Sequence, residues 1–264
     1  ISQIAAVELI FGYIITVAIQ TAAGVAAIVS AIPELSDNKV LLTLGIITVL
    51  TYINLRGVKE AGIIFVLPSY LFIFSMFVVF VFGIWRNLNS DLMPYPTNTP
   101  GLIALGEPQG LLSLAAILLV LKAFANGSAS LTGLEAISDS VALFKEPEHN
   151  NARKTLMIMS AVLATLITGI AWLAYQVVAI PYESGTPTVI SLVAQAALGD
   201  SVFGQSFYYF VQASTTFILF AGANTCFNAF PNMVNIVAAD GFLPKQLTKR
   251  GHRLAFSNGI IFIS

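Results

Sequence analysis

A hydroxyl and a carboxylate lie three residues apart within a long apolar stretch of the sequence, at Thr132 and Glu135. On a helix this spacing places both side chains on one face. An ionisable group at membrane depth is costly and usually faces a pathway or a partner. Together with free backbone carbonyls, the pair could bind a dehydrated cation or an ammonium group, or carry a transported proton. The alternative is that Thr132 bonds to its own helix and Glu135 lies in a hydrated vestibule.

The five residues just before this pair are Asn126, Gly127, Ser128, Ala129 and Ser130, and all of them except Ala129 are poor helix formers. Glycine costs a helix about 1 kcal/mol relative to alanine, and Asn and Ser side chains compete for backbone hydrogen bonds. The apolar stretch around them is longer than one membrane span requires. Discontinuous helices near the bilayer midplane expose carbonyls to ions in many secondary transporters. We therefore predict an unwound backbone at these five positions.

Two other apolar stretches carry polar residues at helical spacing. Tyr13 and Thr16 are predicted to line a pathway, whereas Gln20 suits close helix packing at least as well as contact with a ligand. Asn224 is a second candidate lining residue. It belongs to a series for which packing between helices is the favoured interpretation, consisting of Gln212, Thr216, Asn224, Asn228 and Asn232.

The composition indicates a membrane protein. Of 264 residues, 57% are apolar and 9% charged, against about 25% charged in an average soluble domain, and the mean hydropathy is +0.85. Twelve basic residues nearly cancel thirteen acidic ones, which excludes the positive field that nucleic-acid binding needs. The single cysteine, Cys226, excludes an intrachain disulfide or a cysteine-built metal site. We expect no cofactor, and no metal beyond a transported monovalent cation.

Apolar stretches long enough for membrane helices recur along the whole chain. A helix needs about 20 apolar residues to cross a bilayer, and the stretches suit helices better than the alternating strands of a barrel. The prediction is an all-α, polytopic membrane protein with one transporter domain over residues 1–264. Its helices are predicted near 4–31, 40–55, 62–85, 111–142, 155–180, 202–238 and 256–264.

The basic residues predict the orientation of these helices, because cytoplasmic loops are enriched in Lys and Arg. Nine of the twelve follow the second, fourth and sixth stretches, at Arg56, Lys59, Lys145, Arg153, Lys154, Lys245, Lys249, Arg250 and Arg253. Loops 32–39, 86–110 and 181–201 are then external, and 188–199 has the length of a short surface helix. The chain begins at Ile1 and stops within an apolar stretch, so we expect an internal fragment of a longer protein.

Two long stretches of the sequence carry recognisable motifs. Leu131–Leu156 reads LTGLEAISDSVALFKEPEHNNARKTL, and Gly222–Gly259 contains FNAFPNMVNIVAADGFLPKQL and RLAFSNG. These motifs resemble the amino acid-polyamine-organocation superfamily, and most closely its KUP-type proton-coupled potassium importers. The first stretch is similar to their sixth helix and the following loop, and the second to their eighth helix and the loop after it. Tyr13 and Thr16 match the third helix, and Asn54–Glu60 matches the loop beyond the fourth.

This resemblance implies a core of two inverted five-helix repeats that works by alternating access. The chain would then contain about helices three to nine, in a multi-pass protein of the cell membrane. Thr132 and Glu135 would be cation-site residues on the sixth helix, with Tyr13 and Thr16 facing them from the third. The implied partners are the lipid bilayer, protons and a small cation or amino acid. Assembly as a homodimer is left open.

Two positions depart from the potassium importers. The family carries an acid immediately before the tyrosine and a serine four residues beyond the threonine, where this chain has Gly12 and Gln20. The missing acid weakens a cation site of the family type, and an uncharged third helix would suit an amino acid. The prediction is proton-coupled potassium uptake, with proton-coupled amino-acid transport as the alternative. An integral-membrane enzyme is a more remote class, because no nucleophile elbow or phosphate-binding loop is present.

Overall fold

Helices form nearly all regular structure in the computed structural model, which describes residues 2–56, 61–103, 113–128, 141, 144–248 and 257–264. These ranges contain no extended strand, only an isolated bridge between Leu102 and Tyr182. The all-α prediction is therefore confirmed. The helices are α1 Ser2–Ala31, α2 Lys39–Leu55, α3 Ala61–Leu88, α4 Leu114–Ser128, α5 Glu148–Gln176, α6 Val189–Leu198, α7 Val202–Ala239 and α8 Ser257–Ile263.

Four of the described helical segments are long and apolar enough to cross a membrane, namely Ile10–Ala31, Pro33–Leu55, Val66–Leu88 and Glu148–Gln176. The second gains length from a 3₁₀ turn, Pro33–Asn38, that leads directly into α2. Large apolar side chains such as Phe11 are exposed along these segments, as expected where lipid replaces water. The described helices are consistent with a polytopic membrane protein.

Helix α5 begins at Glu148, earlier than the predicted 155. The apolar pattern detects only the part of a helix that lies within lipid, and the first turns of α5 carry Arg153 and Lys154 instead. Glu148 in the first turn also interacts favourably with the positive end of the helix dipole. The basic residues assigned to this cytoplasmic loop therefore lie partly on helix.

The described chain divides into two compact units, residues 1–102 with 174–264 and residues 103–173. The second unit contains α4 and most of α5. In the first unit, α7 packs most extensively against α1 and also contacts α2, α3, α6 and α8. A single domain over residues 1–264 stays a prediction.

Small residues allow α1 and α7 to approach closely. A Cβ added at Gly24 would overlap the Phe220 ring, and one at Gly222 would lie 2.5 Å from Oε1 of Gln20. The Thr216 hydroxyl donates a hydrogen bond to the backbone oxygen of Gly24 at 3.3 Å. Close approach of this kind is how helices associate in lipid, where no hydrophobic driving force brings them together.

Helix α6 lies in the predicted external loop and is held at both ends. Thr188 caps its first turn by accepting a hydrogen bond from the Ser191 N–H at 3.2 Å. At its other end, the Arg86 guanidinium donates to the backbone oxygens of Ala196 at 2.9 Å and Asp91 at 3.0 Å. The predicted short helix at 188–199 is present. It is not a surface element, however, because most of its residues are buried against α3 and α7.

The end of α5 places a β-branched residue in the left-handed region, since Val178 has φ 51°. The Ala179 N–H donates to the Ala174 oxygen at 2.9 Å and the Val178 N–H donates to the Tyr175 oxygen at 3.3 Å. This is the geometry of a helix ending in which glycine normally occupies the left-handed position.

Val178→Gly should therefore cost much less stability than the same change one residue earlier. It removes a steric cost of about 1–2 kcal/mol, which offsets about 0.4–1 kcal/mol of extra chain entropy in the unfolded state and the loss of a valine side chain that is 36% exposed. We expect a net change within about 1 kcal/mol of zero, measured by thermal unfolding of the purified protein. Val177→Gly is the matched control and should destabilise by about 2 kcal/mol or more, because Val177 is fully buried and has no left-handed φ. A loss of stability in Val178→Gly equal to that in Val177→Gly would contradict the prediction.

Candidate functional site

The predicted pair at the centre of the site lies outside the described residues. These positions are Thr132 and Glu135, together with Ala129 and Ser130 of the predicted unwound segment. Their roles stay predictions.

The other three residues of the predicted unwound segment are helical. Asn126, Gly127 and Ser128 form the last turn of α4, so the prediction is corrected for their backbone. The preceding run of Leu and Ala residues has high helix propensity, which outweighs the cost of one glycine in the final turn. A break in this segment stays a prediction for Ala129 and Ser130 alone.

Tyr13, Thr16 and Gln20 follow one another along α1 at helical spacing. The Tyr13 ring contacts Phe230 of α7 edge-on, with centroids 6.2 Å apart. The Thr16 hydroxyl donates to the backbone oxygen of Gly12 at 2.7 Å. Its proton is therefore used within the helix, and its oxygen retains lone pairs for a ligand.

The side-chain oxygen of Gln20 is the most informative atom of this group. It is buried and has no hydrogen-bond partner among the described residues, and it lies where Gly222 leaves space on α7. A buried acceptor without a donor carries a desolvation cost of about 1–3 kcal/mol. A cation, an ammonium group or a water molecule could each remove that cost. The sequence favours packing for Gln20 at least as strongly as contact with a ligand, and its fit against Gly222 is the contact that packing predicts. A role of Gln20 in binding cargo stays a prediction.

Asn224 takes part in a contact between helices. The Asn54 amide of α2 donates to the Asn224 side-chain oxygen at 2.6 Å and to the Leu50 backbone oxygen at 2.8 Å. Both asparagines are buried. This contact is what the packing interpretation of Asn224 predicts. Sequence reasoning missed Asn54 as its partner, although an asparagine near the end of the second apolar stretch was an available signal.

Further polar contacts join α7 to its neighbours. The hydroxyls of Ser75 on α3 and Ser214 on α7 lie 2.9 Å apart and are both buried. The Tyr208 hydroxyl of α7 donates to the Ser30 backbone oxygen of α1 at 2.9 Å. Sequence reasoning also missed these residues, although Ser75 interrupts a strongly apolar stretch. Such hydrogen bonds contribute to helix association in lipid.

Tyr95 connects the loop after α3 to α6. Its hydroxyl donates to the Leu192 backbone oxygen at 3.0 Å, and its N–H donates to the Val177 oxygen at 2.8 Å. Burial raises the pKa of Tyr95 to about 12, with smaller contributions from the neighbouring Tyr208 and Tyr182. The phenol is therefore held in its neutral, hydrogen-bond-donating form.

Tyr95 should make stability fall at high pH. Because its pKa is about 12 in the folded protein and 10.0 ordinarily, the native state keeps a proton that the unfolded chain has lost. Its contribution is complete below pH 10.0 and is lost as the pH rises through about 12. The phenolate absorbance of the Tyr95→Phe variant, subtracted from that of the parent protein, should give a titration curve centred near pH 12. A difference centred at pH 10.0 would contradict this assignment.

Comparison with known proteins supplies the family. The family model for amino acid permeases matches residues 2–264. The chain is also 39% identical over 260 residues to the potassium transporter KimA of Bacillus subtilis (strain 168), an alignment that covers 98% of this chain and 41% of that protein. The chain thus spans about two fifths of the length of this relative. These matches confirm the resemblance found in the motifs. The chain belongs to the amino acid permease family, and it is a multi-pass protein of the cell membrane.

Proposed function

We propose that the protein takes up potassium across the cell membrane, coupled to protons, by alternating access. The observation that carries this proposal is the 39% identity to a potassium transporter over almost the whole chain. The family model alone does not distinguish potassium from an amino acid, because it is described only as an amino acid permease. In this proposal the cargo crosses unchanged and the protein has no catalytic activity.

The described part of the site supplies neutral oxygen atoms of the kind that coordinate potassium in pores and carriers. The Gln20 oxygen, which has no hydrogen-bond partner among the described residues, is buried between α1 and α7. The Thr16 hydroxyl and Tyr13 lie on the same helix, nearer its beginning. In the proposal, Thr132 and Glu135 keep the cation-binding roles that the sequence predicts for them. The Glu135 carboxylate links the two fluxes, because it binds a proton on one side of the membrane and releases it on the other.

Amino-acid transport is the second candidate. The description of the family model favours it, as does the absence of an acid at Gly12, where potassium importers of the resembling branch carry one. An amino-acid ammonium group could donate to the Gln20 oxygen as readily as a cation could bind it. The two candidates therefore differ in cargo and share the region of the site.

Uptake measurements separate the candidates. The full-length protein is expressed in a bacterial strain that lacks its own potassium importers, and growth is followed at limiting potassium. Rescue of growth, with rubidium uptake that potassium competes away, supports the proposal. Absence of rescue despite confirmed membrane expression, together with uptake of a labelled amino acid, would establish the second candidate instead.

Assembly as a homodimer also stays a prediction, to be tested by the mass of the purified protein.

A further inference from the structure

The external loop between α5 and α6 is packed differently from the helix that follows it. We name residues 181–188 the external flap, since the basic residues place this connection outside the membrane. No residue of the flap is buried. Six of the ten residues of α6 are buried, and this helix packs on α3 and α7. Moving the flap therefore exposes little apolar surface, whereas moving α6 would expose much more.

Lys39, the first residue of α2, joins the flap to the start of that helix. Its ammonium group donates hydrogen bonds to the Ser184 backbone oxygen at 3.1 Å and to the Thr186 hydroxyl oxygen at 2.5 Å. Both acceptors are neutral, and Lys39 itself is only half-buried. Water can replace each partner at such a position, so the net free energy of these bonds is small. The contact can therefore break and form again without disturbing the core.

The two ends of the flap are anchored, and a glycine lies between them. The Glu183 N–H donates to the Gly101 oxygen at 2.8 Å, and the Thr188 hydroxyl caps α6. Gly185 has φ 72°, and a Cβ added there would meet no atom within 4 Å. Glycine adopts left-handed and right-handed backbone conformations with similar ease. The middle of the flap can therefore change position while both ends stay attached.

The flap lies at the outer end of the helix that carries part of the proposed cargo site. The Thr188 N–H donates to the Ser30 hydroxyl oxygen at 3.0 Å, one residue before α1 ends at Ala31. Tyr13 and Thr16 lie deeper along α1. In the predicted orientation, cargo that reaches them from outside must pass this end of the helix. A flap at this position can therefore control access from the outside.

We propose that Lys39 is a latch, which holds the external flap on the start of α2 and opens when the transporter opens to the outside. The inference rests on the alternating access proposed above. The structure has the latch closed. Release of the Lys39 ammonium group frees residues 184–187 to turn about Gly185, while α6 stays packed on α3 and α7.

The first test fixes the latch covalently in the full-length transporter. Lys39→Cys and Thr186→Cys are combined with Cys226→Ser, which removes the native thiol of this chain, and a reducible crosslinker with two thiol-reactive ends joins them. Crosslinking should reduce rubidium uptake to that of cells lacking the transporter, and a reductant should restore it. Each single cysteine variant, treated in the same way, is the control and should keep transporting. Uptake by the crosslinked protein at the parent rate would overturn the proposal.

The second test needs no cargo and so separates the latch from the proposed function. Spin labels at Thr186→Cys on the flap and at Leu41→Cys, which is 70% exposed on α2, report the distance between the two elements in the purified protein. Lys39→Met removes the donor and should add a population at longer distance, whereas Lys39→Arg keeps two donors and should not. An unchanged distance distribution in Lys39→Met would overturn the proposal. Absence of rubidium uptake by the parent would contradict potassium transport instead, and the measured distances would still decide whether Lys39 is a latch.

Discussion

Replacing Glu135 with glutamine in the full-length protein should abolish growth on limiting potassium, with rubidium uptake reduced to the level of cells lacking the transporter. Glutamine keeps the size and most of the shape of glutamate, so the change isolates its charge and its ability to exchange a proton. A carboxylate that binds cargo or carries the coupled proton cannot be replaced by a neutral amide. The measurement is the initial rate of rubidium uptake at several pH values, at matched membrane expression.

Glu146→Gln is the control for the Glu135 variant. Glu146 is an exposed carboxylate in the loop before α5, and the substitution removes the same charge outside the membrane. Its uptake should equal that of the parent. Uptake by Glu135→Gln that matches the parent across the whole pH range would remove Glu135 from both the coupling and the binding role.

Phe230→Ala should strongly destabilise the protein, because it empties a fully enclosed position in the core. Phe230 is 0% exposed, and its ring stacks on Phe262 of α8 at 6.0 Å and contacts Tyr13 of α1 edge-on at 6.2 Å. Its removal leaves a cavity where α1, α7 and α8 meet. Truncation of a buried phenylalanine costs about 3–5 kcal/mol in soluble proteins. We expect about 3 kcal/mol, the low end of that range. Lipid tails are as apolar as a protein core, so the cavity and the lost packing contribute to the cost, and the transfer of the ring from water does not.

Thermal unfolding of purified protein measures this loss, with Phe217→Ala as the control. Phe217 lies on the same helix and is 58% exposed, so its truncation removes contact with lipid or detergent and leaves the packing intact. Phe217→Ala should unfold close to the parent temperature. Equal destabilisation of the two variants would show that the loss of any phenylalanine ring from α7, and not the cavity at Phe230, accounts for the effect.

The polar contacts of α7 illustrate which parts of the site could be predicted. Asn224 and Gln212 were recognised as polar positions within an apolar helix, because their types and spacing are local properties. Their outcomes differ, since Asn224 accepts a hydrogen bond from Asn54 of α2, whereas Gln212 lies beside Tyr208 of its own helix. No local signal predicts the first of these contacts, because the partner of Asn224 is supplied by a helix remote in sequence.

Local properties of the sequence by themselves determined the membrane class, the all-α fold and the family. The length of an apolar stretch reports a span directly, since every backbone group of a helix is satisfied within its own segment. Apolar length did not predict the first turns of α5, because they are charged although they are helical. The helix-breaking residue types did not predict the backbone of Asn126–Ser128, because the helix propensity of the preceding residues outweighed them.

Only the tertiary structure decided which polar groups meet. Asn54 and Asn224 lie 170 residues apart in the chain, and Ser75 and Ser214 lie 139 residues apart. Their pairing depends on the register and rotation of packed helices, which small residues such as Gly24 and Gly222 set through the close approach they allow. The sequence therefore determined that oxygen-bearing side chains lie at membrane depth. The packing of α1 against α7 decided that the Gln20 oxygen is left without a donor among the described residues, because only close packing excludes every other partner.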